Sequence, residues 1–191
     1  MKTIRSRVRK NILKVKPYIP GKPIEEVKRE LGLRQVTKLA SNESPFGPSP
    51  RVRQAVIGKI EGLNRYPESD CYDLRKELSR RLKVLPEQLI FGNGSDEIIV
   101  MAVRAFVDEA DEVIVAHPSF LIYEIASRIA GAVVKAVPLK NFRYDLPGMR
   151  KAVTGKTKII FIGNPDNPAS TCVTQEEVED FLKALLKKLG E

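Results

Sequence analysis

From residue 88 onward, short apolar runs alternate with segments of helical spacing. Four runs have the length of strands: 89–91, 112–116, 133–137 and 158–162. Helices are predicted between and after them, over residues 95–107, 120–130 and 174–189. Strands that alternate with helices in this way are typical of a parallel sheet covered by helices on both faces. The sequence therefore predicts an α/β fold with three layers, α/β/α, and a mostly parallel sheet.

The first 87 residues follow another pattern. Residues 1–23 are basic and end in a stretch with three prolines, which favours an extended arm over a helix. Helices are predicted over 24–31, 51–60 and 72–82, and the loop between the first two is rich in Ser, Asn, Pro and Gly.

Composition limits the possible partners and compartment. Of the 191 residues, 42% are hydrophobic, enough to bury a core, and the formal net charge is +9. Basic residues near the N-terminus do not alternate with aromatic residues, so no nucleic-acid partner is predicted. Cys71 and Cys172 lie far apart, the chain has a single histidine, and no segment approaches the length of a membrane span. We predict a cytoplasmic protein without a metal site or a membrane partner.

Three loops are predicted to meet at one edge of the sheet, because each follows a strand: residues 92–96, 117–120 and 163–168. Ligands of parallel sheets bind at this edge. In the first loop Gly94 permits a tight turn, and Ser95 and Asp96 can cap the helix that follows. Such a helix start attracts anions, phosphate above all, although a capped helix after a strand is also a routine junction.

Single residues of these and other loops allow two interpretations each. Phe120 can stack on a planar ring or fill the core. Asn167 can bond a ring substituent through its amide or serve only the turn. Asn42 can contact a substrate or belong to an ordinary polar loop, and Tyr66 can bind a phosphate or belong to a turn.

Five motifs, in this order, resemble the histidinol-phosphate aminotransferase family, within the fold-type I enzymes that use pyridoxal 5'-phosphate. They are Leu-Ala-Ser-Asn-Glu-Ser-Pro-Phe-Gly-Pro-Ser-Pro from Leu39, Arg-Tyr-Pro-Glu from Arg65, Gly-Asn-Gly-Ser-Asp-Glu from Gly92, His-Pro-Ser-Phe from His117 and Asn-Pro-Asp-Asn-Pro from Asn164. The resemblance runs from about Lys10 to Leu182. Threonine-phosphate decarboxylase and other class I/II aminotransferases share much of the pattern and stay as alternatives.

The resemblance implies a role for each matching residue. Gly94, Ser95 and Asp96 would hold the cofactor phosphate, Phe120 would stack on the pyridine ring, and Asn167 would bond its phenolic oxygen. Tyr66 would reach the cofactor of the other subunit in a homodimer, and Asn42 would lie near the substrate. The implied reaction moves an amino group between histidinol phosphate and 2-oxoglutarate, in histidine biosynthesis. Residues 1–50 would form the arm and part of a small domain, and residues 51–191 a partial large domain.

The chain departs from the family pattern after the Asn-Pro loop. The Schiff-base lysine, the aspartate that pairs with the pyridine nitrogen and the arginine for the substrate carboxylate all lie downstream in the family, and Ala169-Ser170 stands where Thr-Gly is usual. We therefore expect a truncated chain that is inactive alone, with no catalytic residue assigned. Two alternatives remain: a non-catalytic module that binds phosphate ligands or contacts other subunits, and a structural protein in which the motifs are relics.

Overall fold

The computed structural model describes residues 4–190, with side chains from Ser6 onward, so Lys2 of the N-terminal basic cluster lies outside the described residues. The chain forms two compact units. The first comprises the chain up to Tyr18 together with the chain from Phe91 onward, and the second is Ile19–Ile90. The domain division that was predicted at residue 50 stays a prediction.

The first unit is the predicted α/β fold. Its strands are β1 (Glu112–His117), β2 (Val133–Pro138) and β3 (Thr157–Ile160), paired in parallel in the order β2-β1-β3. Its helices are α4 (Gly94–Phe106), α5 (Leu121–Ala130), α6 (Leu146–Ala152) and α7 (Gln175–Leu189). The second unit contains α1 (Ile24–Leu31), α2 (Pro50–Ile57) and α3 (Tyr72–Leu82).

Side chains of the central strand β1 alternate between two cores. Val113 and Val115 belong to a cluster with residues of α4 and α5, whereas Ile114 and Ala116 belong to one with residues of α6 and α7. Successive side chains of a strand point to opposite faces, so a strand that is apolar at every position is buried on both. The predicted three layers are confirmed.

Helix ends follow local chemistry. Gly131, just beyond α5, has a φ of 94°, a left-handed conformation that favours glycine. Helix α7 begins at a capping box, in which Thr174 and Glu177 each accept a hydrogen bond from the other's backbone amide.

Three predictions were wrong in part. Residues 89–91 form no strand, since a strand exists only through pairing and this short run pairs with none of the three strands among residues 4–190. Helix α2 ends at Ile57, three residues early, where Gly58 follows. Helix α6 was missed, because its seven residues begin with Leu-Pro-Gly and look like a loop.

The N-terminal arm is also less extended than predicted. It forms short 3-10 helices at Ile4–Arg7 and Ile12–Lys14 before an extended stretch. The side chains of Arg9 and Asn11 donate hydrogen bonds to backbone carbonyls at the end of α5, at 2.8–3.0 Å. The last carbonyls of a helix have no amide partner one turn further on, so these side chains supplement the bond that the amide of Gly131 makes to Arg128 and help to complete the C-terminus of α5. Among the described residues no helix is both long and apolar enough to cross a membrane.

Met149 of α6 is fully buried in the core that includes Ile114. We expect Met149→Ala to lower the free energy of unfolding by about 2–5 kcal/mol, because it removes buried apolar contacts and leaves a cavity. Met149→Leu conserves the volume, and its cost should stay below about 1.5 kcal/mol. Urea denaturation followed by circular dichroism measures both. Equal losses for the two variants would contradict this account of the core.

Glu112, at the start of β1, is expected to make stability depend on pH. Its carboxylate accepts a hydrogen bond from Lys135 at 2.8 Å and others from Thr154 and Thr157, and these bonds lower its pKa. A carboxyl group whose pKa is lower in the folded chain stabilises the fold above its unfolded pKa, and loses that effect as the pH falls through the folded pKa.

The melting temperature of Glu112→Gln should therefore lie below that of the parent at neutral pH, and the two should converge below pH 4 or so, near and below the usual carboxyl pKa. Glu179 lies on the exposed face of α7, so Glu179→Gln is the control, and its melting temperature should stay close to that of the parent at every pH. Parallel melting curves for Glu112→Gln and the parent across the whole pH range would contradict the role of Glu112.

Candidate functional site

The three predicted loops meet in the first unit, around a cavity of about 380 Å³. Its wall is formed by Asp96 from α4, by Ser119 and Phe120 with the first two residues of α5, by Asn167 and Pro168 from the loop after β3, and by Tyr18 from the arm. A cavity of this size, with apolar walls and a few polar groups, is typical of a small-molecule site. The predicted meeting is confirmed for the loops after β1 and β3, and Asp96 of the first loop joins them, although that loop follows no strand.

Helix α4 starts differently from the prediction. Asn93 is the N-cap and its side chain makes no capping bond, while Gly94 is the first helical residue, with a φ of 79°. Ser95 and Asp96 lie inside the first turn, so the prediction that they cap the helix was wrong. The amides at this helix start are thus not covered by the N-cap side chain, which suits the binding of an anion.

Glu97 takes part in this turn from within the helix. Its carboxylate accepts hydrogen bonds from the backbone and side-chain nitrogens of Asn93, at 2.6 and 3.1 Å. The Asn93 side chain is thereby held toward Glu97, which explains why it does not cap the helix.

Phe120 combines the two interpretations that the sequence left open. Its ring lines the cavity and also packs against the core of α4 and α5. It meets the ring of Tyr123 edge to face, with centroids 5.5 Å apart, and Tyr123 stacks on Phe161 at 4.5 Å. The ring of Phe120 is therefore held in place by other aromatic side chains.

The polar residues of the loop after β3 divide into three roles. Asn164 bonds both backbone polar groups of Val173, at 2.9 and 3.1 Å, which is turn chemistry. Asn167 is exposed on the cavity wall. Asp166 is only 4% exposed and accepts hydrogen bonds from Ser119, Tyr144 and the backbone of Ala169.

The hydroxyl of Tyr144 lies behind the cavity, next to Asp166. Burial raises the pKa of Tyr144 to about 12, and the neighbouring carboxylate adds to the effect. Burial likewise raises the pKa of Tyr123. Both phenols therefore keep their protons at neutral pH and can act as hydrogen-bond donors.

Two predicted site residues lie in the second unit. Asn42 and Tyr66 are both exposed there, and Tyr66 is exposed over its whole side chain. Conversely, sequence reasoning missed Tyr18, Ser119 and Tyr144. Tyr18 stands between prolines of the basic arm, where it is the single aromatic residue of positions 1–23, and this was the available signal. For Ser119 and Tyr144, 25 residues apart, the sequence carries no sign that they meet.

Comparison with known proteins identifies the family. Residues 34–189 match the family described as aminotransferase class I and II. The chain belongs to this family. The suspected resemblance to class I/II aminotransferases is thus confirmed.

Relatives within this family are named as histidinol-phosphate aminotransferases. The chain is 46% identical over 177 residues to the one from Moorella thermoacetica, covering 93% of this chain and 46% of the relative. It is 44% identical over 182 residues to the one from Caldicellulosiruptor saccharolyticus, covering 95% and 51%. The chain thus spans about half the length of these class I and II relatives.

Solved aminotransferase structures share the fold. A histidinol-phosphate aminotransferase from Sinorhizobium meliloti, in complex with pyridoxal-5'-phosphate, is 27% identical with a TM-score of 0.83, over 94% of this chain and 48% of that one. A double mutant of Thermus thermophilus aspartate aminotransferase, at 23% identity and a TM-score of 0.76 over 95% and 50%, shows likeness of fold alone.

Proposed function

We propose that this stretch of chain binds pyridoxal 5'-phosphate and serves transamination of histidinol phosphate with 2-oxoglutarate. The observation that carries the proposal is the meeting of a helix start, an aromatic ring and an amide side chain in one cavity of about 380 Å³. Additional support comes from relatives of 44–46% identity that are named for this activity. Because the chain spans half their length, the reaction is proposed for the protein and cofactor binding for this stretch.

The first contribution is to hold the cofactor's phosphate. Gly94 makes the turn into α4, its amide donating to the carbonyl of Gly92 at 2.9 Å, and the backbone amides of Ser95 and Asp96 lie at the positive end of the helix, where a dianion is stabilised. The side chain of Asp96 is itself negative, so the attraction must come from the amides and from the helix rather than from this side chain.

The second contribution is to hold and orient the ring. Phe120 offers a flat apolar face that is fixed by Tyr123, and Asn167 offers an amide that can donate a hydrogen bond to a phenolic oxygen. When bound, the cofactor supplies an electron sink for the transfer of an amino group. The side chains on the cavity wall orient its ring and exclude water from one of its faces.

Binding of pyridoxamine 5'-phosphate to the purified chain tests these contributions. We expect one saturable site, and Asn167→Ala should weaken the affinity about tenfold, because one hydrogen bond to an ionised oxygen is lost. Gln175→Ala is the matched control, because it removes an exposed side-chain amide at the start of α7. We expect its affinity for pyridoxamine 5'-phosphate to be unchanged. The titration can be followed by calorimetry.

Absence of saturable binding, or equal affinities for the parent chain and Asn167→Ala, would contradict the assignment of the cofactor site.

A separate assay with pyridoxal phosphate, histidinol phosphate and 2-oxoglutarate measures turnover. The residues that line the cavity, all within the described part of the chain, include no lysine. We therefore expect ligand binding without turnover by this chain alone, and detectable turnover would assign catalysis to a lysine elsewhere in it.

We also propose a homodimer, in which a second copy covers the second unit. Every residue from Ile19 to Ile90 is exposed or half-buried, so this unit has no fully buried side chain. Its exposed apolar residues include Leu39, Phe46 and Leu63, which are 76–92% exposed. Apolar surface of this extent is typical of an interface, and two-fold dimers are the commonest assembly. In such a dimer Tyr66 would reach the cofactor phosphate of the partner.

Analytical ultracentrifugation tests the dimer. We expect the parent chain to sediment as a dimer at micromolar concentration and Phe46→Asp to sediment as a monomer, because a charge would be buried at the interface. Phe142→Asp is the matched control, since Phe142 is 74% exposed in the first unit, and it should remain dimeric. A parent chain that is monomeric at all concentrations would contradict the proposal.

Localisation in the cytoplasm is proposed as well. Cys71 and Cys172 are both free. Free thiols fit a reducing compartment.

A further inference from the structure

A buried carboxylate lies directly behind the cavity. One oxygen of Asp166 accepts hydrogen bonds from the hydroxyls of Ser119 at 3.0 Å and Tyr144 at 2.8 Å, and the other accepts one from the amide of Ala169 at 3.0 Å. All these donors are neutral, and no ion pair of Asp166 is found among the side chains that the structure describes, at positions 6–190. Burying an ionised group in this way costs free energy unless every lone pair is used well.

A carboxylate is the side chain that serves three donors at this position. Asparagine could accept the two hydroxyl bonds through its single oxygen, but its NH₂ group would then face the amide of Ala169, donor against donor. The loop's turn geometry alone would tolerate asparagine as well as aspartate. The three converging donors therefore account for an acid at residue 166.

The hydroxyls of Tyr144 and Ser119 both donate their protons to Asp166. The hydroxyl oxygen of Tyr144 accepts the amide proton of Gly163 at 2.9 Å, so its own proton is free to be donated to Asp166. Ser119 then donates to the same carboxylate oxygen. Gly163 permits this close approach, because a Cβ there would lie 3.2 Å from the hydroxyl of Tyr123 and 3.4 Å from that of Tyr144.

Asp166 thereby connects two segments that line the cavity. Through Ser119 it holds the loop between β1 and α5, where Phe120 follows directly. Through its second oxygen and its carbonyl it binds the amides of Ala169 and Ser170, which close the turn around Asn167 and Pro168. Its own amide donates to the carbonyl of Thr171 at 2.9 Å.

We propose that Asp166 is a positioning residue, which fixes Ser119 and Asn167 together as one wall of the cavity. The ligand side of the inference rests on the proposed function, because the wall would orient the ring of a pyridoxal-type cofactor. Asp166 acts through its neighbours, since it is buried and its carboxylate is occupied by donors of the protein itself. It should therefore govern the binding of the ring and leave the binding of the phosphate to α4.

Two ligands separate these effects in the full chain. Asp166→Asn should lower the affinity for pyridoxamine 5'-phosphate about tenfold, because the side-chain amide of Asn167 is no longer held in place. The affinity for inorganic phosphate should fall less than about twofold. Tyr144→Phe is a gentler second variant that keeps the ring and removes one donor, and it should act in the same direction. Asp180→Asn, an exposed acid on α7, is the matched control without effect.

Hydrogen exchange measures positioning without any ligand. In Asp166→Asn the amides of Ala169 and Ser170 should exchange about tenfold faster or more, while those of α5 and α7 keep their rates. A general loss of stability would instead accelerate exchange throughout the first unit and lower the affinity for both ligands by the same factor. That result would overturn the proposal. Unchanged affinities together with unchanged exchange would overturn it as well.

The two proposals can fail separately. A parent chain that binds neither ligand would refute cofactor binding, and the exchange rates of Ala169 and Ser170 would then still decide whether Asp166 fixes the wall. A parent chain that binds pyridoxamine phosphate, with an Asp166→Asn variant that behaves identically, would refute the role of Asp166 alone.

Discussion

Strand β1 has a neighbouring strand on each side and a helical layer on each face. Val113 through Ala116 are at most 4% exposed, so four consecutive residues of one strand contribute to both cores. Removal of this apolar surface from water is the main gain that offsets the ordering of the first unit. The loops after β1 and β3 depend on it, because they begin where these strands end, and α4, whose first turn lines the cavity, packs against the same core.

The cavity shows how the fold turns distant segments into one site. A parallel sheet brings the carboxyl ends of its strands to a common edge, and the loops after β1 and β3 consequently lie side by side. The topology alone would leave these loops free to move. The hydrogen bonds of Asp166 and Tyr144 join them, so rigidity comes from polar contacts that are buried behind the site.

Sequence reasoning succeeded where a pattern repeats. The strands at 112, 133 and 157 were found within one or two residues because each is a short, mainly apolar run, and α3 was found at its observed bounds because its leucines recur every four residues. It failed at 89–91, because whether a short apolar run forms a strand depends on its pairing with another strand. It also failed at α6, because Pro and Gly near the start of this helix are more typical of loops. Asp166 appeared only as a member of the motif that starts at Asn164, with no role of its own, because its partners Ser119 and Tyr144 lie 47 and 22 positions away.

The aromatic row behind the cavity has an optical consequence. The chain contains no tryptophan and five tyrosines, so tyrosine accounts for its intrinsic fluorescence. Three of the five lie at the site: Tyr18 on the cavity wall, Tyr123 stacked on Phe161, and Tyr144 bonded to a carboxylate. Three of the five emitting side chains therefore lie at one cavity, and a molecule that enters there is expected to change the tyrosine signal without any label.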